Sequence, residues 1–302
     1  MNKNNISNPH DKFFKESFGR KDIAVSFLKE YLPASIHNKL KYESLEILKD
    51  SYIDKELAEH FSDILYKIKI GTKTTFLYLL FEHKSYADNW VGFQLLRNMV
   101  KIWEGCLKQR KKRTKLPVIV PIVIYHGIEK WNVNCSLSAL FDVHPETNVY
   151  VPDIKLEVYD ISHIPDEKIK GEILLQACFL LQKYIFNPEL IEKVPEILSL
   201  LNKLSTKTKA TEYLEVVLRY LWASVDNMNH DALKTEIVKT ITAGGTIMPT
   251  IAESIKLEGK LEVAQKMIEK GMSNADIRDI TGLSIRDIEN QRKTMKAESV
   301  HK

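Results

Sequence analysis

Cysteine is scarce in this sequence. The three present, Cys106, Cys135 and Cys178, are far apart and odd in number. That excludes a disulfide framework and leads us to expect reduced thiols in a cytoplasmic protein. The cysteines form no C-x-x-C pair, and His10, His83, His126 and His163 form no H-x-x-x-H spacing, so structural zinc is not expected. The G-x-x-x-x-G-K-[S/T] loop that cradles nucleotide phosphates is missing, which argues against ATP dependence. No apolar run reaches the length of a membrane span, and Met1–His10 is polar without a signal-peptide core, so no membrane association is expected. Charge of one sign is not in large excess either: the net charge of +4 permits a nucleic-acid partner without demanding one.

What is present describes a globular chain. Its 302 residues, 44% hydrophobic and 28% charged, suit one domain with a core plus a smaller appendage. His10–Leu32 reads as one amphipathic helix ended by Pro33, and Leu45–Leu57 holds a short strand. Phe61–Ile70 alternates as a strand, Gly71-Thr-Lys73 signals a turn, and Thr74–Phe81 is rich in β-formers, which together predict an antiparallel hairpin. Asp88–Lys108 returns to helical period, with Val91, Leu95, Met99, Ile102, Trp103 and Cys106 along one stripe. Leu116–Tyr125 is continuously apolar, the pattern of a strand covered on both faces and reached by a helical crossover, hence an α/β sandwich. From about Pro165 the signals are helical, over Ile169–Phe186, Pro188–Leu204 and Ala210–Val225. Thr240–Pro249, with Gly244 and Gly245, reads as a linker. The charged tail carries two capping boxes, Ser273-x-x-Asp276 and Ser284-x-x-Asp287, with Gly282 between them. The expected layout is a core over 1–160, a helical region over 161–240, and a linker with a helical tail over 241–302.

The hairpin carries the chemistry. If its loop is Thr72-Lys73, Asp63 faces Glu82 directly; if it is Gly71-Thr72, Asp63 faces Leu80 and Glu82 is its diagonal neighbour. Either register leaves the two carboxylates on one face, roughly 5–8 Å apart at Cβ. Side chains alternate along a strand, so Lys84 shares that face while His83 points the other way. Two facing carboxylates repel unless a cation lies between them, and a hard divalent ion such as Mg²⁺, or Mn²⁺, suits their oxygens. The backbone carbonyl of His83 would supply a third oxygen. Such a site activates water against a phosphodiester, with Lys84 orienting the water or offsetting developing charge. The competing reading is a solvated hairpin face with cross-strand ion pairs. Against it, Leu79-Leu-Phe-Glu-His-Lys84 puts its charges at the end of a markedly apolar strand.

At these residues the chain resembles a known family, the Rpn recombination-promoting nucleases, also called YhgA-like transposases, of the PD-(D/E)XK nuclease superfamily. The matching pieces are His10-Asp-Lys-Phe-Phe-Lys15, Ser62-Asp-Ile-Leu-Tyr66, Leu80-Phe-Glu-His-Lys-Ser85, Gln94-Leu-Leu-Arg97 and Pro121-Ile-Val-Ile-Tyr-His-Gly127 followed by Trp131. They span most of the first 151 residues. The resemblance implies a restriction-endonuclease-like core, a mixed sheet flanked by helices, with an α-helical C-terminal region. It implies that Asp63 and Glu82 bind the metal, that Lys84 is the base-like lysine, and that Gln94 is the accessory polar residue. It also implies DNA breakage that promotes recombination, in mobile-element or phage-defence biology. Ser62 stands where the superfamily name has Pro, a chemically minor departure. Relatives often carry Gln at the position of Lys84, so lysine here favours an intact site.

Other features divide between function and plain structure. The run Lys108-Gln-Arg-Lys-Lys-Arg-Thr-Lys115 offers six cations, Lys108, Arg110, Lys111, Lys112, Arg113 and Lys115. These would bind DNA phosphates without reading sequence, or form only a solvated loop. The tail is reminiscent of a helix-turn-helix in which Arg286 faces a groove, although Asp276, Asp279, Asp287 and Glu289 oppose DNA and favour protein contact. His126 reads as a hydrogen-bonded structural residue, with the border of the active site as the alternative. Two other functions compete with the nuclease. One is a non-catalytic DNA- or protein-binding module on a nuclease-like fold; the other is a scaffold that homo-oligomerises through Pro165–Val225.

Overall fold

A computed structural model describes residues 9–48, 64–71, 75–109, 115–204, 207–225, 230–243, 260–261 and 263–300. The chain forms two compact units, Met1–Glu236 and Ile237–Lys302.

The first unit opens with two helices where the apolar pattern predicts one: α1 (Pro9–Phe18) and α2 (Lys21–Tyr31). The break has a local cause. Gly19 approaches the preceding turn so closely that a Cβ there would lie 2.6 Å from the carbonyl oxygen of Lys15. Arg20 then turns extended, at φ −92° and ψ 127°, and α2 starts afresh. The apolar spacing runs through the break because both helices bury residues in the same core, Phe13, Phe14 and Phe18 from α1 and Ile23, Phe27 and Leu28 from α2. Pro33 does end the helical run, and a single turn, α3 (Ala34–His37), follows it.

The sheet has five strands in sequence order: β1 (Leu40–Leu48), β2 (Ile64–Ile70), β3 (Thr75–Lys84), β4 (Val118–Tyr125) and β5 (Glu157–Asp160). The first three pair antiparallel, and β3–β4 and β4–β5 pair parallel. In the hairpin Ile64 pairs with Phe81 and Ile70 with Thr75. That is the register expected for a Thr72-Lys73 loop. The helical crossover is present as α4 (Val91–Gln109), between parallel β3 and β4. Strand β5 is an addition to the expected pattern; its four residues are all half-buried, too few for a period to show.

Helices cover both faces of the sheet. One face packs on α4, where Leu65, Tyr78, Leu80, Ile119 and Val123 of the strands join Val91, Leu95, Met99 and Ile102 in one apolar cluster. The opposite face is aromatic. Phe81 lies 5.5 Å from Phe18, 5.3 Å from Phe27 and 5.1 Å from Tyr66, ring centre to ring centre. Here α5 (Ile173–Tyr184), apolar almost all round and buried from Leu174 to Gln182 apart from half-buried Gln176, packs on α2. After α6 (Leu190–Asn202), α7 (Lys207–Ser224) returns to α1. Ser17 and Tyr213 share a hydrogen bond of 2.9 Å there, and Arg219 reaches Glu16 at 3.3 Å. Next in the chain is α8 (His230–Ala243); Gly244, Gly245 and the rest of the expected linker as far as Pro249 lie outside the described residues.

The second unit holds the tail helices α9 (Asn274–Thr281) and α10 (Ile285–Val300). Both capping boxes form. The Asp276 N–H donates to Ser273 Oγ and the Asp287 N–H to Ser284 Oγ, each at 3.2 Å, while each serine hydroxyl donates back to its aspartate at 2.6 Å. Gly282 ends α9 with φ +68°, a left-handed position that suits glycine. Ala264, Ile277, Leu283 and Ile288 make a small core of their own.

Candidate active site

The end of β3 is where the sheet's apolar character stops and polar chemistry starts. Alternation along the strand sends Tyr78, Leu80, Glu82 and Lys84 to the α4 face, and Leu79, Phe81 and His83 to the other. Leu80 is fully buried under α4, and the next two positions on that face are equally covered: Glu82 is 2% exposed and Lys84 7%. Charged groups so buried must be paired. Lys84 Nζ lies 3.1 Å from Glu82 Oε1. Gln94, from the first turn of α4, bridges them: its Nε2 donates to Glu82 Oε1 at 3.2 Å, and its Oε1 accepts from Lys84 Nζ at 3.0 Å. Glu82, Lys84 and Gln94 are therefore brought together. Burial works against the charge of Lys84, but Glu82 and then Asp88 outweigh it, so its pKa is raised.

One carboxylate oxygen remains unanswered. Glu82 Oε2 is buried and has no hydrogen-bond partner among the described residues. A bare carboxylate oxygen in such a place suits a hard cation. The His83 carbonyl is a second oxygen of interest. The Lys84 carbonyl accepts from the His126 N–H at 3.0 Å, on the β4 side of the strand. Backbone alternation turns the His83 carbonyl towards the β2 side, beyond the last pair described there, Ile64 with Phe81. Among the described residues no group of three or more His, Cys, Asp or Glu side chains is placed to hold a metal ion. Asp63 lies outside the described residues, as do Arg110, Lys111, Lys112 and Arg113 of the basic run. The run's end members, Lys108 and Lys115, are exposed.

Asp88 and Gln182 go beyond the residues that the sequence singles out. Asp88 accepts from Lys84 Nζ at 3.3 Å through Oδ2 and from the Trp90 N–H at 2.9 Å through Oδ1. Its signal in the sequence is an acid placed before a helix, a position normally read as a cap. On the opposite face His83 enters a column of rings, Phe14–His83–His126–Phe186, with successive centres 4.7, 4.6 and 5.3 Å apart and planes within 16°. Gln182 of α5 lies 2.9 Å from His83 Nε2 through its amide nitrogen, and its backbone carbonyl is 3.3 Å from His126 Nδ1. Burial, then the neighbouring His126 and His10, keeps the pKa of His83 well below its ordinary value. Burial and His10 bring that of His126 down to about 3, against the opposing effect of the Gln182 carbonyl. His126 is thus a buried, neutral member of the packing behind the site.

Comparison with known proteins identifies a family. The profile of the family described as "Putative transposase, YhgA-like" matches residues 8–212, and that of the Rpn/YhgA-like nuclease family's C-terminal HTH domain matches residues 257–293. The chain is 28% identical to the recombination-promoting nuclease RpnA of Escherichia coli K12, over 94% of this chain and 97% of the relative. It is 26% identical to the recombination-promoting nuclease RpnD of Escherichia coli O157:H7, over 82% and 94% respectively. It is also 26% identical, over 96% and 99%, to RpnE of Escherichia coli K12, an inactive recombination-promoting nuclease-like protein. No solved structure matches the chain. Among the described residues no helix is long and apolar enough to cross a membrane.

Proposed function

The chain belongs to the YhgA-like transposase family of Rpn nucleases, and from that premise we propose that it is a metal-dependent DNA endonuclease with a PD-(D/E)XK core. The observation that carries the reading is the buried Glu82–Lys84–Gln94 group with its one unanswered carboxylate oxygen. A buried carboxylate oxygen without a hydrogen-bond partner calls for an explanation, and a bound cation supplies one. Asp63, Glu82 and the His83 carbonyl would hold Mg²⁺ or Mn²⁺, and covalent continuity with Ile64, which pairs with Phe81, supports Asp63 in that set. A divalent ion there supplies Lewis acidity to a phosphoryl oxygen and lowers the pKa of water.

The chain's own groups do the rest. Water attacks phosphorus as the bond to the leaving sugar oxygen breaks; the proton that the water gives up passes to solvent, and the leaving oxygen takes up one from solvent. Lys84, kept cationic by Glu82 and Asp88, offsets the negative charge that grows on the phosphorane oxygens. Gln94 fixes the Lys84 ammonium and the Glu82 carboxylate relative to one another. The exposed ends of the basic run, Lys108 and Lys115, together with Arg110, Lys111, Lys112 and Arg113 between them, would attract the DNA backbone.

Plasmid cleavage with Mg²⁺, Mn²⁺, Ca²⁺ or EDTA tests this reading. Metal-dependent cutting that disappears in Asp63→Ala and Lys84→Ala is the expected result. An uncut plasmid in every metal, with salt-sensitive DNA binding retained, would overturn the enzyme in favour of a non-catalytic DNA-binding module; RpnE is a relative named as inactive.

A further inference from the structure

Three large aromatic side chains stand in solvent immediately beyond Lys84. Tyr86 is 63% exposed, Trp90 64% and Phe93 53%. Single exposed apolar residues are ordinary on any surface, but three within eight positions, next to a buried polar site, are not. None of the three rings packs on another ring among the described residues. The nearest thing to a partner is Lys84 itself, whose Nζ lies 5.7 Å from the centre of the Tyr86 ring.

These rings are also held in register with the site. The Asp88 carboxylate takes Lys84 with one oxygen and the Trp90 N–H with the other, at 3.3 and 2.9 Å. The Gln94 N–H donates to the Trp90 carbonyl at 3.0 Å, which places Trp90 on the first turn of α4. From there the exposed positions Trp90, Phe93, Arg97 and Val100 follow helical spacing along one side of α4. Arg97 makes no ion pair among the described residues.

We propose that Tyr86, Trp90 and Phe93 form a stacking platform for unpaired bases, so that the preferred substrate is DNA that is single-stranded beside the scissile phosphate. The proposal rests on the nuclease reading and names its substrate class. A duplex presents phosphates and groove edges, which call for cations and polar groups. An unpaired strand presents base faces, which stack on aromatic rings whatever their sequence. Next to Lys84 the surface offers ring faces, with Arg97 about one helical turn, roughly 5–6 Å, beyond Phe93 for the adjoining phosphate. A base resting on Tyr86 lies beside the Lys84 ammonium, 5.7 Å from the centre of that ring.

The test is binding measured apart from cleavage. Fluorescence anisotropy of a labelled oligothymidylate and of a duplex of equal length, both in EDTA, compares wild type with Trp90→Ala, Phe93→Ala and Trp90→Phe. Each alanine is expected to weaken single-strand binding about tenfold and to leave duplex binding within about twofold, while Trp90→Phe, which keeps a ring at that position, holds single-strand binding near wild type. Equal effects on the two DNA forms, or none, overturn the platform. So does a loss of self-association in Trp90→Ala by sedimentation velocity, which would make this face a contact between copies of the chain. Wild-type plasmid cutting in Mg²⁺ separates the two ideas. Cutting with single-strand affinity unchanged in the variants sinks the platform alone. Ring-dependent single-strand binding without any cutting upholds the platform and sinks the nuclease.

Discussion

Glu82 and His83 are neighbours in the chain, and their side chains occupy opposite worlds. Glu82 faces α4 beside the Lys84 ammonium, which it shares with Asp88, and Gln94 bridges Glu82 to Lys84. His83 faces α1 and α5, where every neighbouring ring is uncharged and burial holds the imidazole neutral. Both faces are dry. What differs is what each offers a buried polar group: on one side countercharges and a carboxylate oxygen without a hydrogen-bond partner among the described residues, on the other ring faces and a single amide. The same strand thus makes a reactive face and a rigid backing, and a change on either side should have a different signature.

The largest effect is expected on the charged face. Lys84→Ala or Glu82→Gln should lower plasmid cleavage in Mg²⁺ by about 10²–10³-fold or more, with a folded protein by circular dichroism. Near-wild-type cutting by either variant would break the distinction between the faces. On the backing, His126→Ala should cost about 2–4 kcal/mol of stability by opening a cavity in the ring column. His126→Phe should cost about 1–2 kcal/mol, less than alanine, because it keeps the ring and loses the unpartnered Nε2 along with the 3.3 Å contact from Nδ1 to the Gln182 carbonyl. Urea midpoints check both, and cleavage per folded molecule should be unchanged in the phenylalanine variant.

The pH dependence sharpens the contrast. With His126 at about 3 in the folded chain, against an ordinary value near 6.5, the unfolded chain binds its proton first as pH falls. This contribution to stability is therefore complete above about pH 6.5, declines through the window down to about 3, and is level below it. The slope is at most about 1.4 kcal/mol per pH unit. Urea midpoints taken between pH 7 and 4 should fall less steeply for His126→Phe than for wild type; parallel curves would mean that His126 is not held neutral. The smallest effect is expected from Asp88→Asn. Its contact with Lys84 is partly open to solvent, so cleavage should drop by no more than about fivefold, and a loss as large as that of Lys84→Ala would make Asp88 a principal member of the site.

Some of this was legible residue by residue. The alternation of Ile64–Ile70 and the turn at Gly71 announced the hairpin, although two registers fitted until the pairing of Ile64 with Phe81 decided between them. The stripe from Val91 to Ile102 announced α4, and the serines at 273 and 284 announced their helices, because a cap is a contact three residues long. The break at Gly19 was hidden, since the apolar spacing of α1 and α2 continues across it. Strand β5 was hidden because half-buried residues on a short strand carry no period.

The sequence by itself determined that Glu82 and Lys84 share a face and that His83 does not, because alternate residues of an extended chain point the same way whatever lies against them. It also determined the family, through short motifs in a fixed order. Only the tertiary structure decided that Glu82 and Lys84 are buried, that Gln94 bridges their charges, that Asp88 ties Lys84 to Trp90, and that Gln182, 99 residues from His83, braces the strand from behind. Those contacts depend on which helix packs on which face of the sheet, and local spacing holds no record of that choice.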